Sequence, residues 1–162
     1  MDKLITPKRI IDKLPQFDLD VCAPVERPWE TAKNYYTIDE DGLNKEWKGL
    51  VFCNPIGSDS YDWLLKCAKH SNCIALTFAK TDTKQYSEIV FRYATSIIWL
   101  KGRVRYCYSN GKNASATMLP SVLLSFNQDT GLALEKSEIS GKHMWLKRYS
   151  KPFYPGDDYI FK

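Results

Sequence analysis

Asn54 and Pro55 stand where the apolar run Leu50-Val51-Phe52-Cys53 stops, and they offer the sharpest chemistry in the sequence. A side-chain amide and a backbone carbonyl held by proline can each accept one proton of a primary amine. An exocyclic amine on a heteroaromatic base is a poor nucleophile, because its lone pair is delocalised into the ring. Two such acceptors push the nitrogen toward tetrahedral geometry and line it up with an electrophilic methyl group, which is catalysis by positioning. The bland alternative is a dipeptide that only turns the chain after a strand, as Asn-Pro commonly does.

Asp18 and Asp20 lie two apart in Phe17–Cys22, so a regular strand would point both to one face. A carboxylate at the strand end, Asp20, can receive the ribose hydroxyls or the amino group of a cofactor; a solvated or capping acid is the competing reading. No G-x-G-x-x-G loop follows it. Lys101, Arg103, Arg105 and Lys112, with Tyr106 and Tyr108, form a basic and aromatic strip able to follow a phosphate backbone. The tail repeats that chemistry with Lys147, Arg148 and Lys151 beside Trp145, Tyr149 and Phe153. A solvated hairpin face and a tail packed on the domain would look the same in sequence. His70 falls at a helix end, where a dipole contact is the default, and His143 lies in a charged segment. The five cysteines are odd in number and contain no C-x-x-C pair. Four of them fall in expected strands, where a thiol packs as a small hydrophobe. Neither a disulfide framework nor a metal site is expected, and a reducing cytosol fits.

These residues need elements to hold them. Thr6 is a suitable N-cap with Pro7 at the first helical position, and Ile10, Ile11 and Leu14 then share a face up to Pro15. Phe17–Cys22 reads as a strand, Thr31–Tyr36 as a turn or short helix, and Asp39–Gly42 as a polar turn. Leu50–Cys53 is a buried strand. Ser58 and Ser60 can cap a helix over Tyr61–Lys69 with a Tyr61, Leu64, Leu65, Ala68 stripe. Cys73–Phe78 is a further strand. A helix carrying Tyr86, Ile89, Val90 and Tyr93 follows, with Asp82 and Gln85 spaced as a capping box. Ser96–Leu100 and Arg103–Tyr108 read as a hairpin joined at Lys101-Gly102 with one wet face. Asn110–Pro120 reads as a loop and Ser121–Phe126 as the final strand. Early strands alternate with helices, so the fold class is α/β: a three-layer, mostly parallel sheet with an antiparallel edge hairpin, ligands sitting at strand C-terminal ends.

The chain has 162 residues, one domain's worth of core, with 44% hydrophobic and 26% charged residues. No apolar run reaches the roughly 20 residues of a membrane span, and MDKLITPKRI lacks the apolar core of a secretory signal. A single intracellular, cytoplasmic domain without membrane contact is expected over 1–162. The net charge of +4 suits a polyanionic partner.

Taken in order, the Thr6-Pro7 helix start, FDLDVCA, AKNYYTIDEDGL, Trp47 with Gly49, VFCNP, Trp63 on its helix, LTFAKTDT, IIWLKGRVRY and SVLLSF resemble the phage-type DNA N-6-adenine methyltransferases, a Dam-like family. The resemblance implies a Rossmann-like methyltransferase fold, S-adenosylmethionine as cofactor and adenine in double-stranded DNA as substrate. By the same resemblance Thr6, Pro7, Asp20 and Asn54 lie near the cofactor. Asn54 and Pro55 form the first half of the catalytic tetrad. Lys80, Thr81 and Thr83 fall in a substrate segment that usually has arginine where Lys80 stands. Arg103 and Arg105, from the basic strip, are expected to meet the DNA as well. The second half of the tetrad departs from the pattern: Ile56 replaces a proline, and Gly57 replaces the aromatic that stacks the extruded base. Tyr61, Trp63 and Phe52 are nearby rings, Tyr61 the preferred substitute. Three functions stay open: adenine methylation, a repurposed fold that binds S-adenosylmethionine, DNA or a host protein, and methylation of another amine such as cytosine N-4.

Overall fold

The computed structural model describes residues 4–55 and 60–146, and Ile56, Gly57, Ser58 and the basic tail from Lys147 lie outside them. The architecture is α/β, with nine strands among the described residues: β1 Phe17–Asp20, β2 Ala32–Tyr35, β3 Val51–Cys53, β4 Cys73–Phe78, β5 Ser96–Leu100, β6 Arg105–Cys107, β7 Asn113–Ala116, β8 Ser121–Ser125 and β9 Gly141–Trp145. Seven of them form one mixed sheet in the order β2-β1-β3-β4-β8-β5-β9, and β6 and β7 form a separate ribbon. The first four run parallel, and β8 is antiparallel to both β4 and β5, so β5 runs the same way as β4. The C-terminal ends of β1, β3, β4 and β5 therefore all lie on one edge.

Two buried clusters cover the sheet. One packs Ile10 of α1 (Lys8–Ile11), Val104, Tyr106 and Leu134 on Phe52, Ile74, Leu76 and Leu123. The other packs Leu64, Cys67 and Ala68 of α2 (Tyr61–His70), together with Tyr86, Ile89, Val90 and Tyr93, on Val51, Cys53, Cys73 and Ala75. Alternate strand residues feed opposite clusters, as pleating requires.

Several expectations are corrected. Thr31–Tyr36 is not a turn or helix: Ala32–Tyr35 is the edge strand β2, paired with β1 from Phe17↔Ala32 to Asp20↔Tyr35. Only Ala32 of that strand is buried, so half-burial hid its period. The expected β5–β6 hairpin does not form. β6 pairs instead with β7, which lies inside the expected loop. β5 bonds β8 and β9 on its two sides, leaving no edge for β6. The expected Asp82–Gln85 capping box is replaced by a π-helical turn over Gln85–Val90, which runs into α3 (Phe91–Tyr93). Gln85 is buried and spends its carbonyl on Ser60. Ser121–Ser125 is not the last strand, because α4 (Gln128–Lys136) and β9 follow. Asn127 caps α4 by accepting from the Thr130 N–H at 2.8 Å. Gly131 is there because a Cβ would come within 2.5 Å of the Trp145 ring on β9.

Asp18 and Asp20 do not share a face. The Asp18 and Leu19 N–H groups both donate to the Leu50 carbonyl, at 2.8 and 3.3 Å, a bulge-like break in the alternation. Phe17 and Leu19, also two apart, accordingly join opposite clusters.

Candidate active site

The chain leaves β1 to form β2 on one side, then returns to form β3 on the other side of β1. This reversal of strand order makes the β1–β3 junction the sheet's switch point, the place where open α/β sheets take their ligands. Asp20 closes β1 and Asn54 follows β3. The sequence-expected pair is thus brought to one place by the parallel register Asp20↔Phe52.

Asn54 is buried, so its amide must find partners in the protein. Its Nδ2 donates to the Thr6 hydroxyl at 2.8 Å, and its Oδ1 faces the Tyr106 hydroxyl at 3.4 Å. Both partners are held independently. Ile5 and Cys107 exchange backbone hydrogen bonds of 2.8 and 3.0 Å, which ties the segment before α1 to β6 and sets Thr6 beside Tyr106. The Trp29 indole N–H donates to the Thr6 carbonyl at 3.1 Å, so a half-buried ring is tied to Thr6 as well. Thr6 is therefore no helix cap. The residue before α1 is Pro7, and no side chain caps that helix. Tyr106 likewise leaves the expected basic strip. It is buried against Asn54, and its hydroxyl is pushed up to about 12, chiefly by burial.

Asp20 is the buried carboxylate of the junction. Its oxygens accept from the Cys22 N–H at 3.0 Å and from the Thr31 hydroxyl. Burial raises its pKa to about 6; the Thr31 and Cys22 bonds and the Arg27 charge oppose that rise only in part. Near neutrality it remains a carboxylate with spare acceptor positions. Asp18, by contrast, is half exposed and ion-paired with Lys33 at 2.9 Å, and it also accepts the Leu50 N–H, which lowers its pKa. Behind the junction four thiols run inward, Cys22 to Cys53 at 3.9 Å and Cys73 to Cys67 at 3.2 Å, all pushed up by burial.

The remaining site candidates spread along the same sheet edge. Pro55 follows Asn54 and is half-buried. Tyr61 opens α2 and donates its hydroxyl to Glu88 at 2.6 Å, a bond that pushes its pKa up to about 12. Two of the other rings are committed elsewhere: Phe52 is wholly buried against Phe17, and Trp63 stacks on Trp47 at 6.4 Å. Lys80, Thr81 and Thr83 form the turn after β4, where the Thr83 hydroxyl donates to the Lys80 carbonyl at 2.6 Å. Arg103 and Arg105 are exposed on either side of the buried Val104. His70 meets the Gly49 carbonyl at 2.9 Å and the edge of Trp47. Burial lowers the pKa of His143 on β9. Sequence reasoning missed Trp29, Thr31 and the true role of Tyr106. Only the Pro28-Trp29 pair, a large ring in an otherwise loop-like stretch, carried a signal.

Among the described residues no group of His, Cys, Asp and Glu is placed to hold a metal ion, and no helix is long and apolar enough to cross a membrane. Residues 1–144 match the family model described as DNA N-6-adenine-methyltransferase (Dam). No curated protein and no solved structure gives a match.

Proposed function

The chain belongs to the DNA N-6-adenine-methyltransferase (Dam) family, and from that premise we propose that it is a phage- or prophage-type enzyme methylating adenine N-6 in double-stranded DNA in the bacterial cytoplasm. The mixed sheet with its switch point at β1–β3 supports a Rossmann-like, three-layer methyltransferase arrangement. S-adenosylmethionine, when bound, supplies a methyl group made electrophilic by its sulfonium. The switch-point residues fit it: Asp20 is a buried carboxylate suited to ribose hydroxyls or an amino group, and Asn54, its partner Thr6 and the adjoining Pro7 are the residues proposed to meet the rest of the cofactor.

The observation that carries this reading is the orientation of Asn54. Thr6 occupies Nδ2, so Oδ1 is the atom left to accept a proton from the adenine amine. The long approach of Tyr106 leaves a second lone pair of Oδ1 available. The Pro55 carbonyl accepts a hydrogen bond from the amine's other N–H. Tyr61, at the start of α2, is the ring proposed to stack the extruded base, and Lys80, Thr81, Thr83, Arg103 and Arg105 contact the DNA strand.

Ile56 and Gly57 favour a second reading, a fold that binds S-adenosylmethionine or DNA without methylating it. The test is transfer of labelled methyl from S-adenosylmethionine to adenine-unmethylated duplex, with products resolved by nucleoside mass. Label in N-6-methyladenine, absent with Asn54→Ala, supports the enzyme; label in cytosine N-4 redirects the target. Cofactor binding without transfer, with transfer created by Ile56→Pro combined with Gly57→Tyr, supports the second reading.

A further inference from the structure

A cavity of about 120 Å³ opens at the C-terminal end of β5, lined by Arg9, Lys13, Lys101 and Arg103 around Ile10, Val104 and their neighbours. Among the described residues no acidic side chain lines it. Its volume is far above the roughly 10–15 Å³ that one water needs. The four cations come from two segments that the tertiary structure brings together: α1 with the turn after it, and the Lys101-Gly102-Arg103 turn after β5. Gly102 makes that turn at φ +77, which lets the flanking cations stand on either side. Lys13 is held in place by donating to the Glu138 carbonyl at 2.8 Å, and the side chains of Arg9, Lys101 and Arg103 are exposed. Such concentrated like charge is unfavourable without a counter-ion, and it marks a binding surface for a polyanion.

We propose that this cavity grips a backbone phosphate of the DNA flanking the target adenine. The inference rests on the methyltransferase reading for the identity of the polyanion, and on geometry for its place. The cavity lies on the same sheet edge as Asn54, three strand steps away through β4 and β8, roughly 14 Å at the usual strand spacing. That is roughly four steps of the 3.4 Å rise along one DNA strand. The segment that bonds Asn54 through Thr6 continues directly into Arg9 and Lys13. Burial raises the thiol of Cys107, the neighbour of Tyr106, and the charge of nearby Arg9 opposes that rise only in part. Phosphate grip and amine orientation are thus built on one short stretch of chain. The cavity positions the strand and carries no base information.

The test measures the affinity of the full chain for fluorescent duplexes of two unrelated sequences across a range of salt. Calorimetry with S-adenosylmethionine is the control. Lys101→Ala combined with Arg103→Ala is expected to reduce the slope of log affinity against log salt by up to about 0.9, the value for the one phosphate charge no longer neutralised. Affinity for both sequences should fall alike, by tenfold or more, with cofactor affinity unchanged. Arg103→Glu should weaken DNA binding further. An unchanged salt slope in these variants overturns the proposal, as does tight binding of inorganic phosphate that persists beside saturating duplex. The slope is read without methyl transfer. A protein that binds DNA through this cavity and transfers nothing would overturn only the enzymatic reading, and an active enzyme with an unaltered slope would overturn only the cavity.

Discussion

At the ends of β1 and β3 the polar groups are buried and answer one another: Asn54 to Thr6 and Tyr106, Asp20 to Thr31 and Cys22. At the end of β5, on the same edge of the same sheet, Arg9, Lys101 and Arg103 stay in water around an open cavity. The difference is one of dielectric. In the buried corner a group without a partner costs about 1–3 kcal/mol, so each atom's direction is specified. In the wet cavity direction matters little, and the summed charge acts over roughly 10 Å at moderate salt. The corner is suited to orienting one amine, and the cavity to holding any sequence of backbone.

The largest expected effect separates the two at once. Asn54→Ala should lower methyl transfer by about 10²–10³-fold, the range for removing one preorganised hydrogen-bonding group. It should leave the salt dependence of DNA binding intact; a flattened slope would merge the two regions. Next comes the titration of Asp20. Its folded pKa, about 6, lies above the ordinary 3.8, so the folded state holds the proton more tightly. This contribution is fully present below about pH 4 and disappears as pH rises past 6, up to about 3 kcal/mol for the free protein. Urea denaturation should show that decline in the parent and its absence in Asp20→Asn. Cofactor affinity, which needs the carboxylate, should run the other way and weaken below pH 6. Tyr106→Phe is a smaller change, expected to lower kcat several-fold with KM for DNA unaltered, because only the orientation of Asn54 relaxes. Smallest is Arg105→Ala, one exposed cation outside the cavity lining. It should change the salt slope by no more than about 0.9 and leave transfer at saturating DNA unchanged.

Much of the scaffold could be read directly. Cys73–Phe78 and Ser96–Leu100 coincide with β4 and β5, and Tyr61–Lys69 with all but the last residue of α2. Long apolar runs between polar ends admit little else. β2 escaped because three of its four residues are not buried, and the β6–β7 ribbon because its partner strand, Asn113–Ala116, is small and polar. In α4 only Gly131 and Leu134 among the apolar positions are buried, too thin a stripe to show a period. At the site, Asp20 and Asn54 were legible because strand ends are recognisable. The Thr6 and Tyr106 contacts were not, being 48 and 52 residues away along the chain.

The chain's own letters, then, determined the long apolar elements, the acceptor pair at a strand end, the positive charge and the family that matches residues 1–144. Those properties are local or additive, and neighbouring residues suffice to set them. Tertiary structure alone decided which side of β1 each strand joined, that Thr6 would turn the Asn54 amide rather than cap a helix, that Asp18 and Asp20 would part company, and that four scattered cations would share one cavity. Each of these depends on register and burial between distant segments, where the cost of an unpartnered polar group selects one arrangement among many that the local sequence permits.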